Sequence, residues 1–187
     1  MGAWSTKPFG NDSALDFAGA ISDSKSPSEV KMLILQSFAD YAVYSGKRAR
    51  GENKVVRTAE HAEWMLSQIA WPEILGVGDL NVIEAVRSGI GKEDIDTGSA
   101  EAFAAIAAGT ILAALHHSDI NRLPEDLHQP QVQAYRPNLP ELEDAVSTLL
   151  DIQRNSELCR ECGPAWKKGV KLLTLELKAA VALTQAL

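Results

Sequence analysis

The stretch from Ser99 to Leu115 constrains this fold more than any other feature, because it is apolar on every side when wound as a helix. Its large apolar side chains are Phe103, Ile106, Ile111, Leu112 and Leu115. Alanines separate them, and Gly109 lies near the middle. A helix without a polar face is usually buried, and small residues let neighbouring helices approach it closely. The stretch therefore predicts a helix at the centre of an all-α bundle.

The clearest amphipathic helix is predicted to start at Pro27. Ser26-Pro27-Ser28-Glu29 has the form of a capping box with proline at the first helical position. Apolar residues then recur at steps of three and four, which is the spacing of one helix face. They are Val30, Leu33, Ile34, Phe38, Tyr41 and Ala42. We expect this helix to end before Gly46.

A short first helix is predicted near the N-terminus. Either Asn11 or Asp12 can cap it, because both side chains accept hydrogen bonds from the first turn. Its apolar anchors are Leu15 and Phe17. Upstream, Trp4 and Phe9 are large apolar side chains, each worth about 1.5–3 kcal/mol when buried. We therefore expect the N-terminus to dock on the body of the protein.

Helices are also predicted on both sides of the central one. Thr58 can start a helix that Pro72 ends, and Asp79 can cap a brief helix closed by Gly89 and Gly91. Downstream, Asn138 can cap a helix whose apolar side carries Leu142, Val146, Leu149 and Leu150. The final helix starts near Pro164 and carries Trp166, Val170, Leu173, Leu177 and Ala180. Each stripe predicts burial of one helix face.

Length and pattern together predict one all-α domain over residues 1–187, either a helical bundle or an irregular helical array. A chain of 187 residues fits a single domain of ordinary size. No run alternates cleanly between apolar and polar residues, so strand signals are nearly absent. Residues 116–138 contain Pro124, Pro130 and Pro137 and predict a long irregular connection.

Charge and composition bear on partners. The N-terminal twenty residues carry one cation, Lys7, and no continuous apolar segment, so we expect no secretory signal and a cytoplasmic location. No apolar run approaches the roughly 18 residues of a membrane span, so no membrane partner is expected. The formal net charge of −7 repels phosphate backbones and favours a basic protein partner over nucleic acid.

Two segments resemble a known family. Near the N-terminus, Trp4, Phe9, Asn11-Asp12 and Asp16 stand at the spacing of the bacterial domain-of-unknown-function family numbered 4259. The second segment is Asn155-Ser156-Glu157-Leu158, followed by Trp166. Between them the chain resembles the family only in its alternation of helices and loops. The resemblance implies a bacterial helical protein, and it implies no activity because none is attached to the family.

Two motifs have the spacing of metal ligands. Cys159 and Cys162 have the spacing of half a zinc site or of a redox pair, but two further ligands and a βαβ context are missing, so we expect structural thiols. Glu125 and His128 have a Glu-x-x-His spacing that di-iron bundles use twice, together with two further glutamates. Here the spacing occurs once, between prolines. We therefore expect neither a metal nor another cofactor.

The histidines leave two classes of function open. His116 and His117 end the central helix, where an imidazolium would interact favourably with the helix dipole. The alternative is an enzyme or a small-ligand sensor that uses Glu60, His61, His116 and His117. No nucleophile, phosphate-loop or dinucleotide motif accompanies them, so we expect no enzymatic activity.

The favoured hypothesis is a protein-binding module, most concretely an immunity protein that neutralises a bacterial toxin. A small, acidic, helical chain without an assembled catalytic set suits this class, and acidic patches suit a basic nuclease. The candidate contact residues are Glu93, Asp94, Asp96, Glu125 and Asp126. The alternative interpretation of each is a solvated surface charge.

Overall fold

Helices form the framework of the chain, which confirms the predicted all-α class. The computed structural model describes residues 8–56, 58–60, 62–63, 84, 87–96, 98–156, 158 and 162–186. The helices within these ranges are α1 (Asp12–Ser22), α2 (Pro27–Ala49), α3 (Ser99–His116), α4 (Pro130–Ala134), α5 (Leu139–Asn155) and α6 (Pro164–Gln185). Two 3₁₀ turns, Ile120–Arg122 and Glu125–Leu127, precede α4.

Two short strands add a feature that the sequence did not indicate. β1 (Lys54–Val56) pairs antiparallel with β2 (Glu93–Ile95), and Val55 lies opposite Asp94. All three β1 residues are exposed, so no alternation between a buried and a solvated face marks the strand in the sequence. Two strands this short form only because they pair with each other across a long stretch of the chain, so local sequence does not indicate them.

The chain divides into two compact units. One comprises residues 1–47 with 97–187, and the other comprises residues 48–96. We call them the helical unit and the inserted unit. Because compact units can belong to one domain, the interpretation of residues 1–187 as a single domain stays a prediction.

The apolar helix α3 forms the core of the helical unit, as predicted. It packs against α1, α5 and α6, and 72% of its length is buried. A Cβ at Gly109 would lie 3.3 Å from Leu149 and 3.6 Å from Leu177, so the glycine allows close packing. Among the described residues, α3 is the one helix long and apolar enough by composition to cross a membrane. Its contacts with the surrounding helices account for that apolar surface here.

Three predicted caps are present. Asn11, rather than Asp12, caps α1 by accepting from Ala14 N–H at 3.0 Å. Ser26 Oγ accepts from Glu29 N–H at 3.2 Å, while the Glu29 carboxylate accepts from the N–H of Lys25. Asn138 and Glu141 form a complete capping box at the start of α5. These local bonds fix the helix starts that the sequence indicated.

Residues 116–138 are more ordered than the predicted irregular connection. Leu123, Leu127, Val132 and Tyr135 are buried, and they hold the two 3₁₀ turns and α4 against the core. Four apolar side chains spaced through a proline-punctuated segment are enough to fold it onto the helices, although no helical period indicates them.

The connection is tied down by Glu141, a carboxylate that is 2% exposed. It accepts from Tyr135 Oη at 2.7 Å and from Asn138 N–H at 2.8 Å, and it pairs with Lys31 Nζ at 2.8 Å. Burial alone would raise the pKa of Glu141, but the bonds from Lys31, Asn138 and Tyr135 outweigh it and lower the pKa. The buried charge is therefore satisfied, and it links α2, α5 and the connection.

Three local predictions were wrong. Ala42, predicted on the buried face of α2, is exposed. α2 does not end before Gly46 but continues to Ala49, because one glycine costs a helix only about 1 kcal/mol. Lys47 and Arg48 also place positive charge near its C-terminal end, where the helix dipole favours it. Leu15 is exposed, whereas Ala14, Ala18 and Ile21 form the buried face of α1.

Other predictions lie wholly or largely outside the described residues. Trp4 is among these, although Phe9 is described and packs against the core. Of the helices predicted from Thr58 and Asp79, the structure describes scattered residues, and Ala62 is helical and buried.

Candidate functional site: an acidic groove between three helices

A groove lies between α1, α2 and the start of α3, all within the helical unit. Its cavity has a volume of about 380 Å³, which falls in the range of ligand-binding clefts. The lining residues are Ser13, Asp16, Phe17, Leu33, Gln36, Ser37, Asp40, Ala100, Glu101 and Ala104. We call this site the acidic groove.

The local sequence explains why the groove has an apolar floor. Phe17 and Leu33 lie at the edges of the buried stripes of α1 and α2, so each is only partly buried against the core. On the third side, Ala100 and Ala104 face the cavity, and their small side chains leave it unfilled. Small residues that allow close packing elsewhere in α3 therefore leave room at its N-terminal end.

The rim of the groove is negatively charged. Asp16 and Asp40 are exposed and Glu101 is half-buried, and these are the three carboxylates of the lining. Gln36 Nε2 donates to Asp40 Oδ1 at 2.7 Å, which orients one carboxylate. Among the described residues that line the cavity there is no lysine or arginine. A concave site with one sign of charge concentrates its field and attracts cationic groups.

The predicted contact residues Glu93, Asp94 and Asp96 lie together in the inserted unit. Glu93 and Asp94 belong to β2, and Glu93 pairs with Lys54 on β1 at 3.0 Å. Asp96 follows the strand, where its N–H donates to the Asn53 carbonyl at 2.8 Å. The Glu93–Lys54 pair is exposed and links the two strands, so Glu93 contributes less net charge to its surface.

Glu125 and Asp126, the other predicted contacts, lie in the helical unit. Both are exposed on the second 3₁₀ turn, which packs beside α1. Ser22 Oγ donates to the Asp126 carbonyl at 2.8 Å, so the backbone is anchored while both side chains face solvent. Neither residue is among those that line the acidic groove.

Sequence reasoning missed the groove carboxylates as a group. In the sequence, Asp16 is distinguished only by the family resemblance, and Asp40 and Glu101 carry no motif of their own. The sequence shows only that each carboxylate lies outside the apolar face of its helix. Most acidic surface residues do the same, so this position does not single them out. Only the packing of three helices brings these carboxylates to one rim.

A second cleft lies between α3 and α6, with a volume of about 190 Å³. Phe103 and Trp166 contribute aromatic walls, and Arg122 and Glu176 form its polar end. Arg122 donates through both terminal nitrogens to the Glu176 carboxylate, the Nη2–Oε2 distance being 2.9 Å. The hydrogen bonds and charge of Arg122 lower the pKa of Glu176 despite its burial. His117 Nε2 lies 3.6 Å from the same carboxylate.

The paired histidines are in contact with each other at the end of α3. Their rings meet edge to face, with centroids 5.2 Å apart. Burial, followed by the proximity of His117, lowers the pKa of His116 and so disfavours its imidazolium form. The lowered pKa weakens the predicted interaction between a His116 imidazolium and the helix dipole.

The predicted metal and thiol motifs give no assembled site within the described ranges. Within those ranges, no three histidine, cysteine, aspartate or glutamate side chains lie together in a way that could hold a metal ion. His128 Nε2 instead lies 3.1 Å from the Leu123 carbonyl. Cys162 is buried, whereas Cys159, Glu157 and His61 lie outside the residues whose side chains are described.

Comparisons with known proteins give one match. Residues 2–47 match the family model described as Domain of unknown function (DUF4259), which confirms the resemblance inferred from the N-terminal residues. The segment from Asn155 to Trp166 lies outside the match. No curated protein and no solved structure matches the chain. The matched segment includes α1 and most of α2, and so most of the residues that line the acidic groove.

Proposed function

We propose that this chain, whose first two helices carry the match to a domain family of unknown function, is a protein-binding module for a basic partner. The observation that carries the proposal is the acidic groove, where three carboxylates border an apolar floor. Apolar surface supplies desolvated contacts that give affinity, and carboxylates speed association and select a cationic surface.

The most concrete form of the proposal is an immunity protein that neutralises a bacterial toxin in the cytoplasm. A nuclease toxin needs a basic surface to bind its phosphate backbone, and a protein of net charge −7 complements that surface. In this role the chain acts by occlusion, so it needs neither catalysis nor a cofactor.

Within the groove, partner residues would play two roles. An apolar anchor would enter between Phe17 and Leu33, where the cavity offers unfilled volume. Lysine or arginine side chains would then reach Asp16, Asp40 or Glu101 at the rim. Desolvated anchors set the dissociation rate, whereas rim charges mainly set the association rate and its salt dependence.

The proposal is tested by affinity capture with matched variants. Asp16→Lys with Asp40→Lys reverses the groove charge, and Glu143→Lys with Asp144→Lys makes the same change on exposed positions of α5. A specific partner is a protein captured by the wild type and the α5 variant but lost from the groove variant. If both variants lose the same proteins, or neither does, the groove is not the binding site.

The immunity role requires a second measurement. The captured partner is expressed alone and together with this chain, and bacterial growth is followed. Neutralisation predicts that the partner arrests growth, that the wild-type chain restores it, and that the groove variant does not. A partner that is harmless when expressed alone would contradict the immunity role while leaving the binding module intact.

An enzyme or small-ligand sensor is the second candidate, favoured by the cleft between α3 and α6. Its aromatic walls and its Arg122–Glu176 pair resemble the mixed lining of small-molecule sites, and His117 adjoins the polar end. Ligand-observed NMR with benzoate, benzylamine and indole tests it. Binding that is lost in Glu176→Gln supports a sensor, and absence of binding by all three contradicts it.

A further inference from the structure

The last helix carries a second apolar face in addition to the one it buries. Leu172, Leu175 and Leu183 are 56%, 53% and 58% exposed. The helical period of 3.6 residues places them opposite the buried Val170 and Leu177. A surface helix normally has one apolar stripe, and grouped exposed leucines mark an interaction surface more often than scattered ones do.

Lysines border one edge of these leucines, and Glu176, which pairs with Arg122, lies at the other edge. The exposed basic residues of the helix are Lys167, Lys168, Lys171 and Lys178. Lys171 and Lys178 are seven residues apart, so they lie on the same side of the helix and border one edge of the leucine row. Lys168 lies one turn before Leu172. We call the three leucines and four lysines together the lysine–leucine face.

The lysine–leucine face has the chemistry that the acidic groove requires. The groove offers an apolar floor with a carboxylate rim, and the face offers apolar side chains bordered by ammonium groups. Both belong to the helical unit, so every copy of the chain presents both. An amphipathic helix laid into a groove is a recurring mode of protein recognition, in which side chains one turn apart serve as anchors.

We propose that the lysine–leucine face of one copy docks in the acidic groove of a second copy, so that the chain self-associates. This inference rests on the groove being a binding site, as proposed above, and it names the occupant when no other partner is present. The two surfaces are different patches, so the contact is heterologous and either propagates from copy to copy or closes into a ring.

Self-association of this kind regulates the access of other partners to the groove. A groove filled by another copy cannot hold a basic partner at the same time, so partner binding and self-association compete. A partner with higher affinity dissolves the assemblies, and the lysine–leucine face is released in the same step.

Sedimentation velocity over a range of protein concentrations tests the proposal. We expect the weight-average mass of the wild type to rise with concentration at low salt and to fall at 1 M salt, where the Debye length is about 3 Å. Non-specific apolar association predicts the opposite salt response, because salt screens the repulsion between copies that each carry a net charge of −7. The direction of the salt effect therefore distinguishes docking of the lysine–leucine face in the groove from non-specific apolar association.

Charge-reversed variants identify the two surfaces. Asp16→Lys with Asp40→Lys reverses the groove, and Lys171→Glu with Lys178→Glu reverses the face. Each variant alone is expected to weaken self-association by about tenfold or more, whereas Lys25→Glu with Lys92→Glu, a matched change on exposed residues outside both surfaces, leaves it unchanged. Circular dichroism and the melting temperature confirm that each variant folds.

Mixing the two reversed variants gives the decisive result. In the mixture, the unaltered face of the groove variant meets the unaltered groove of the face variant, and the basic groove meets the acidic helix. Association therefore returns in the mixture although each variant alone associates weakly. A wild type that stays monomeric at every concentration overturns the inference, as does a mixture that does not associate. If the wild type is monomeric but its groove captures a basic partner, the proposed function stands without this inference. If the wild type self-associates but no groove-dependent partner is captured, the inference stands and the proposed function fails.

Discussion

Tyr44 occupies the space that a side chain at position 98 would need. A Cβ placed on Gly98 would lie 2.2 Å from Cε1 and Cζ of the Tyr44 ring, and Gly98 has φ +55°. Contact and backbone conformation therefore both require glycine at this position. Because Gly98 caps the N-terminal end of α3, this contact fixes the start of the central helix against α2.

Gly98→Ala is expected to lower the free energy of unfolding by about 3 kcal/mol or more. The left-handed conformation costs a side chain about 1–2 kcal/mol, and overpacking against Tyr44 adds about 1–3 kcal/mol. Gly51→Ala is the control, because Gly51 has φ +69° but nothing within 4 Å of the added Cβ. Urea unfolding followed by circular dichroism measures both. If both variants lose the same free energy of unfolding, the Tyr44 ring moves aside without destabilising the protein.

Acid should destabilise the protein through Glu141. Its pKa is lowered below the ordinary value of 4.5 in the folded state. Its contribution is therefore fully present above pH 4.5 and is lost as the pH falls through the folded-state pKa. Glu141→Gln should reduce stability at pH 7 by about 1.5–3 kcal/mol and flatten the acid limb of the stability curve. An unchanged acid limb in the variant would assign the acid sensitivity to other carboxylates.

Alkali should destabilise the protein through Tyr135. Burial first, then the hydrogen bond to Glu141 and its negative charge, raise the pKa of Tyr135 well above 10.0. The contribution is present below pH 10 and is lost as the pH rises further, because the unfolded chain then releases a proton that the folded chain retains. Tyr135→Phe should remove this part of the alkaline loss. Thermal melts between pH 8 and pH 11 would refute the assignment if both proteins respond alike.

Glu125→Ala with Asp126→Ala should slow association with a basic partner and leave folding nearly unchanged. Both side chains are exposed, and surface substitutions usually alter stability by less than about 0.5 kcal/mol. Exposed charges away from the desolvated centre of an interface act mainly on the association rate, so the effect should fade at high salt. Stopped-flow or surface-binding kinetics with the captured partner measures both rates. A change confined to the dissociation rate would place these residues in a central contact instead.

The sequence by itself was sufficient to predict most of the described helices and the residues at which they begin. The buried face of α6 is the predicted one, and Asn138 caps α5 as expected. Such features depend on residues within about four positions of one another, so the spacing of apolar side chains and a capping side chain specify them. The extension of α2 beyond Gly46 could not be predicted in this way, because a single glycine weakens a helix without ending it.

Only the tertiary structure decided what these helices build together. The acidic groove joins Asp16, Asp40 and Glu101 from three helices, and Glu141 meets Lys31 from more than one hundred residues away in the chain. Periodicity shows which face of a helix is apolar, but not which neighbour covers it or where a gap remains. Those outcomes depend on how side chains of different helices interlock at close packing, which no local pattern records.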